Sequence, residues 1–181
     1  MRFEPLAPAG AWRITVEPSV DERGLFARTW CAREFAAAGI PSQFVQTSLS
    51  WNPRRGTLRG LHWQAAPHGE GKLVRCTRGR IHDVLVDLRD GSPTRLRPVE
   101  LELSADGREA VWIPPGVAHG FLTLEDGCEV HYAMTVEHVA EASRGARFDD
   151  PAFGIRWPAS VEVISQRDRG WPDFEPSRSA C

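Results

Sequence analysis

The chain has 181 residues, which suits one domain with a full core, expected to span 1–181. Apolar residues make up 41% and charged residues 25%, and a formal net charge of -2 offers no basic surface for nucleic acid or an anionic membrane. The opening Met1-Arg2-Phe3-Glu4-Pro5 lacks the apolar centre of a signal peptide, and no run is long enough to span a bilayer, so the expected location is the cytoplasm. The cysteines Cys31, Cys76, Cys128 and Cys181 are widely scattered without a CxxC pair, and read as reduced thiols rather than a zinc site or disulfide frame.

In chain order, the one clear helix is short, about Arg33 to Ala38, with Gly39 as its stop. Strands are predicted over Lys72 to Arg78, Ile81 to Leu88, Val99 to Leu103, Ala110 to Ile113, Gly120 to Leu124 and Glu129 to Thr135. Val99-Glu100-Leu101-Glu102-Leu103 alternates strictly and predicts one wet face; Ile81 to Leu88 predicts a more buried strand. Turn signals separate the strands at Arg78-Gly79, Asp90-Gly91-Ser92-Pro93, Asp106-Gly107, Pro114-Pro115-Gly116 and Asp126-Gly127. Many short strands in one domain predict an all-β sandwich or barrel, most naturally a jelly roll. From Val136 on the pattern is irregular, and Trp157-Pro158 and Trp171-Pro172 suggest a segment, about 136–181, that wraps over the barrel.

The run Gly56-Thr57-Leu58-Arg59-Gly60-Leu61-His62-Trp63-Gln64, followed by Lys72, brings a guanidinium, an imidazole and an ammonium into apolar surroundings. Core strands avoid such groups because an unpaired buried charge is costly. A site that binds a phosphorylated ligand and abstracts a proton needs all three. Each also has a plainer reading: His62 as a satisfied core histidine, Lys72 as a snorkelling strand residue, Arg59 as half of a structural ion pair. Asp83 and Asp87 read as structural, pairing with arginines such as Arg89. His68, His82, His131 and His138 read as surface or wall residues. Tyr132 is the single tyrosine, so any phenol chemistry falls to it.

Pro114-Pro115-Gly116-Val117-Ala118-His119 is a turn that projects His119 toward a barrel interior. In metal-binding cupins this histidine is a ligand, partnered by an upstream His-x-His. Here the upstream motif is His62-Trp63-Gln64, so a metal site lacks an expected ligand.

The ordered blocks Asp21-Glu22-Arg23-Gly24-Leu25-Phe26, Arg59 to Gln64, Lys72-Leu73-Val74-Arg75, Asp83 to Arg89, Ser92-Pro93-Thr94, Ala118 to Phe121, Asp149-Asp150-Pro151 and Ser165-Gln166-Arg167-Asp168 run through most of the chain. Together they resemble the nucleoside-diphosphate 4-keto-6-deoxysugar 3,5-epimerases, typified by dTDP-4-dehydrorhamnose 3,5-epimerase. The resemblance implies a cupin-like double-stranded β-helix with short peripheral helices, needing no metal or cofactor. It also implies a homodimer, with N-terminal strands, about 1–30, exchanged between copies. Epimerisation next to a ketone needs a base on one face, an acid on the other and a donor at the forming enolate oxygen. By resemblance His62 is the base, Asp168 its orienting carboxylate, Tyr132 the acid and Lys72 the enolate stabiliser. Arg23 and Arg59 match diphosphate-binding groups, His119 a supporting histidine near the site, and Trp63 is placed to line the sugar pocket.

The match departs at Ser19 (often aromatic), Arg28 (usually Glu), Ser48 after Gln46 (usually Asn) and His138 (usually Tyr). These positions bear on recognition rather than on base, acid or lysine, and leave open which nucleotide is bound and whether C3, C5 or both are inverted. Rival readings are a nucleotide-sugar 3,4-ketoisomerase of the same fold, a non-catalytic sugar-nucleotide-binding cupin, and a metal cupin.

Overall fold

The computed structural model describes residues 1–175; Cys181 and the tip of the expected C-terminal wrap lie outside the described residues. The chain opens with β1 (Arg2–Pro5), β2 (Trp12–Thr15), the small hairpin β3 (Ser19–Asp21) and β4 (Gly24–Phe26), and the helix α1 (Ala32–Ala37). The central strands follow: β5 (Gln46–Asn52), β6 (Thr57–Gln64), β7 (Lys72–Arg78), β8 (Arg80–Asp87), β9 (Pro98–Ser104), β10 (Ala110–Ile113), β11 (Val117–Thr123) and β12 (Cys128–Met134). A 3-10 turn at Ala140–Ala142 leads to β13 (Ser143–Gly145), then β14 (Val163–Ile164) and the short helix α2 (Gln166–Arg169).

One sheet has the order β1-β2-β10-β7-β12-β5 and the other β13-β6-β11-β8-β9, with β14 beside β6. β14 pairs with β6 in parallel, whereas the remaining pairs of both sheets are antiparallel. The two sheets face one another as a cupin-like jelly roll. Between them lie Val74 and Cys76 of β7, Ile81 and Leu85 of β8, Leu103, Val111, Phe121 and Val130.

The alternation of side chains along each strand decides what faces this interior. On β8, Ile81 and Leu85 point in, while Val84 and Val86 point out against Phe153 and the C-terminal segment. Both faces of β8 are therefore covered, which is why Ile81 to Leu88 reads as a nearly continuous apolar run. The first sheet is covered outside by Phe35 of α1 with Ile14, Leu73, Trp112 and Ala133. Burying these apolar faces is the main force holding the layers together.

The sequence-based strand positions hold to within a few residues. β11 starts three residues earlier than expected, because the chain turns at Gly116 (φ 79°) and enters the strand at once. β5 was not foreseen: Gln46-Thr47-Ser48-Leu49-Ser50-Trp51-Asn52 is polar, and as the sheet's edge strand most of it is exposed. Gly60 lies where β6 and β11 approach closely. A Cβ there would sit 2.5 Å from Gly120 Cα, and its φ of 124° favours glycine. Asp87 pairs with Arg89 as the sequence suggests, and also accepts hydrogen bonds from the Ser92 and Thr94 hydroxyls at 2.6 and 2.7 Å.

Candidate active site

Inward-facing positions near one end of the sandwich form a cleft of about 480 Å³. β6 contributes Arg59, His62 and Gln64; His62 and Gln64 alternate with Leu61 and Trp63, which pack on the outer layer, and Arg59 lies across a register shift in the pairing with β11. β7 and β12 contribute Lys72, Tyr132 and Met134 from the other sheet, where Lys72 pairs with Met134 and Tyr132 with Val74. His62 thus faces Tyr132 and Lys72 from the opposite sheet. Gln46, Ser48 and His138 line the same cleft, and the His138 backbone N–H donates to Gln46 Oε1 at 3.1 Å. Trp63 also lines it.

His62 Nε2 lies 2.6 Å from Asp168 Oδ1. Asp168 arrives on α2, whose N-cap Ser165 accepts the Asp168 backbone N–H in its side chain. The segment that looked irregular in sequence is therefore locked in two ways, by this cap and by β14 on β6. The second carboxylate oxygen of Asp168 faces the Gly60 N–H at 3.4 Å. Burial pushes the Asp168 carboxyl up, but His62, Gly60 and Ser165 outweigh it and hold it below its ordinary value. With Nε2 engaged, Nδ1 is the ring nitrogen left free to take a proton.

Tyr132 has its phenol pushed well above the ordinary value, first by burial and next by the charge of Asp83. It stays protonated and can donate. Behind it lies His119, buried, its ring edge-on to Tyr132 at 6.2 Å. His119 Nε2 bonds Asp83 Oδ1 at 2.7 Å. This corrects the expected arginine partner for Asp83: β8 and β11 are neighbours, and both side chains point into the interior. His119 is not among the residues lining the cleft.

Lys72 Nζ is 2.8 Å from Glu70 Oε1 and donates to the His62 carbonyl at 3.3 Å. The Arg59 Nε donates to Asn52 Oδ1 at 2.8 Å, which fixes the guanidinium at the rim. Arg167 stands at the rim too, donating to Ser143 Oγ at 2.8 Å and lying 5.3 Å from the Trp171 ring centroid. Both arginines also border an adjoining hollow of about 420 Å³ on the far side of His62. Two guanidiniums at one mouth are apt for a diphosphate.

Sequence reasoning passed over Glu70 and Arg167, although each stands within two positions of a residue it did select, Lys72 and Asp168. Gln64, at the place of a metal-ligating histidine, is tied into the backbone: its Oε1 accepts the Val139 N–H at 2.6 Å and its Nε2 donates to the Glu137 carbonyl at 3.2 Å.

Arg23 and Arg28 do not line this cleft. Arg23 sits in the β3–β4 hairpin with Asp21, and Arg28 Nη1 donates to Glu34 Oε1 at 2.8 Å. The hairpin and the β5 edge carry exposed apolar side chains, including Val20 (73%), Phe26 (81%) and Leu49 (64%).

A family profile described as dTDP-4-dehydrorhamnose 3,5-epimerase matches residues 5–176. The chain is 41% identical over 179 residues to a dTDP-4-dehydrorhamnose 3,5-epimerase of Sinorhizobium fredii, covering 96% of this chain and 90% of the relative. It is 36% identical over 170 residues to a dTDP-4-dehydrorhamnose 3-epimerase of Streptomyces niveus, covering 93% and 82%. Among solved structures, dTDP-4-dehydrorhamnose 3,5-epimerase from Bacillus anthracis, with TDP and PPi bound, superposes with a TM-score of 0.92 at 32% identity, covering 96% of this chain and 99% of that one. By profile, sequence and fold alike, the chain belongs to the dTDP-4-dehydrorhamnose 3,5-epimerase family.

Proposed function

We propose that this chain epimerises a nucleoside-diphosphate 4-keto-6-deoxyhexose by exchanging protons at the carbons beside the ketone. The observation that carries this reading is the placement of His62 and Tyr132 on opposite sheets, facing one cleft that also holds Lys72. Inversion of a carbon needs removal of a proton from one face and delivery to the other, and this arrangement supplies both.

His62 takes the proton through Nδ1. Asp168 holds the tautomer and stabilises the imidazolium. The electron pair left on carbon moves into the ketone, and Lys72 donates to the enolate oxygen so formed. Tyr132 returns a proton to the opposite face. Arg59 and Arg167 take the diphosphate, Trp63 walls the sugar, and Gln46, Ser48 and His138 meet the nucleotide or outer sugar. His119 supports Tyr132 from behind. The base, acid and ammonium suffice for every step, so the reading includes no metal or cofactor.

The reading extends to a homodimer working in the cytoplasm. The exposed Val20, Phe26 and Leu49 support pairing of two copies, since apolar side chains left exposed on a hairpin and a sheet edge are suited to burial. Arg23 and Arg28, which do not line their own chain's cleft, would then act on the diphosphate or nucleotide in the other copy.

Incubation with dTDP-4-keto-6-deoxyglucose in deuterated water, followed by NMR, tests the reaction. Deuterium at C3 and C5 marks a 3,5-epimerase, and deuterium at one of them a single-site enzyme. No exchange at either, from folded protein that binds dTDP, overturns the reading.

A further inference from the structure

We infer that Glu70 is a positioning residue for Lys72, aiming its ammonium at the oxygen of the sugar ketone. The inference rests on the reading of Lys72 as the enolate stabiliser.

An ammonium has three N–H donors at tetrahedral angles and no acceptor. On Lys72 one is taken by Glu70 Oε1 at 2.8 Å and a second by the His62 carbonyl at 3.3 Å. The third is left for the cleft that Lys72 lines. Both side chains of the pair are nearly enclosed, at 10% and 11% exposure, so solvent screens it little. Glu70 is itself steadied from one side, its Oε2 lying 3.5 Å from Gln64 Nε2, and Gln64 is fixed to the backbone at Val139 and Glu137.

A lysine side chain has four rotatable bonds, and an unanchored ammonium samples many positions. Two bonds, one to a carboxylate and one to the carbonyl of the base residue itself, restrict it to one. The second ties the enolate donor to the strand that carries the base. Glu70 touches no reacting atom in this scheme. It acts by making Lys72 a directed donor instead of a mobile charge, the kind of preorganisation on which oxyanion stabilisation depends.

The test is a double-mutant cycle on solvent deuterium exchange into dTDP-4-keto-6-deoxyglucose, with dTDP binding measured by calorimetry. Glu70→Ala should lower kcat for exchange about ten- to a hundredfold, the scale of a misplaced catalytic group, with KM and dTDP affinity little changed. Glu70→Gln, whose amide oxygen can accept the same bond, should recover part of that loss. In a Lys72→Ala background, followed over days, adding Glu70→Ala should cost nothing further. Wild-type exchange in Glu70→Ala, no recovery in Glu70→Gln, or losses that multiply in the double variant would each overturn the inference while leaving Lys72 in its role. Wild-type exchange in Lys72→Ala alone would instead remove the role of Lys72, and the inference with it.

Discussion

Replacing Asp168 by asparagine keeps the shape of the dyad and removes its charge. His62 Nε2 is 2.6 Å from Asp168 Oδ1, with the histidine side chain 38% exposed and the aspartate 6%. Opposite unit charges with centres about 4 Å apart attract by about 4 kcal/mol at an effective dielectric constant of about 20. Solvent at the histidine end reduces this to about 2 kcal/mol, which corresponds to about thirtyfold in the rate of forming an imidazolium. A second effect adds to it. The Gly60 N–H faces Asp168 Oδ2 at 3.4 Å, so the asparagine carbonyl settles there and its NH₂ turns toward His62. Nε2 must then accept, Nδ1 carries the hydrogen, and the nitrogen facing the substrate can no longer take a proton. In a histidine–aspartate pair this tautomer error can bring the total loss to about 10⁴-fold. The expectation is thus a fall of about 10²- to 10⁴-fold in deuterium exchange, with dTDP affinity unchanged by calorimetry. A loss of less than about tenfold in folded, dTDP-binding protein would refute the dyad as described.

His62→Asn should abolish exchange at both carbons yet still bind dTDP, and turnover at the wild-type rate would remove His62 as base. Tyr132→Phe should impair inversion of configuration more than exchange; equal losses in the two NMR readouts would count against an acid on the opposite face. If Arg23 serves the other copy, mixing Arg23→Ala with His62→Asn protein under subunit-exchanging conditions should restore activity that neither has alone, because one mixed site holds both intact residues. Failure of the mixture, with exchange of subunits verified by mass, would place Arg23 outside the site. For pH, burial pushes the Asp87 carboxyl up, but the bonds from Arg89, Ser92 and Thr94 hold it well below its ordinary value. A depressed folded value stabilises the fold above the unfolded pKa of about 3.9, and that stabilisation fades as pH falls through the folded value. The urea-midpoint gap between wild type and Asp87→Asn should be constant from about pH 7 to 5 and narrow below about pH 4. A gap independent of pH would contradict this.

The candidate site was legible in sequence to the extent that the residues gathered in its cleft are types rare in core strands. His62 and Lys72 stand out because imidazole and ammonium interrupt apolar alternation, and Tyr132 because no other phenol exists. β7 and β10 were placed to the residue, since apolar and β-branched positions bounded by clear turns specify both ends. β5 was hidden because an edge strand with exposed faces needs no apolar pattern. α2 was hidden because four residues carry no period, and a helix that short is set by its cap and tertiary contacts. The partner of Asp83 could not be chosen from sequence, because it depends on which strand lies beside β8. Glu70 was missed for a related reason: it lies in the loop before β7, and only the folded cleft shows that it meets Lys72.

The distance along the chain between His62 and Asp168 bears on biosynthesis. They are 106 positions apart, and Asp168 belongs to the last helix of the described chain. While the chain is still emerging from the ribosome, β1 to β13 can already pair, yet the proposed base, His62, has no carboxylate to orient it. Only when residues 163–169 have left the exit tunnel and β14 lies along β6 can His62 meet Asp168. A nascent or clipped chain lacking residues 163–169 would be a barrel with a bare imidazole, and on the proposed mechanism proton abstraction would begin only once that segment is in place.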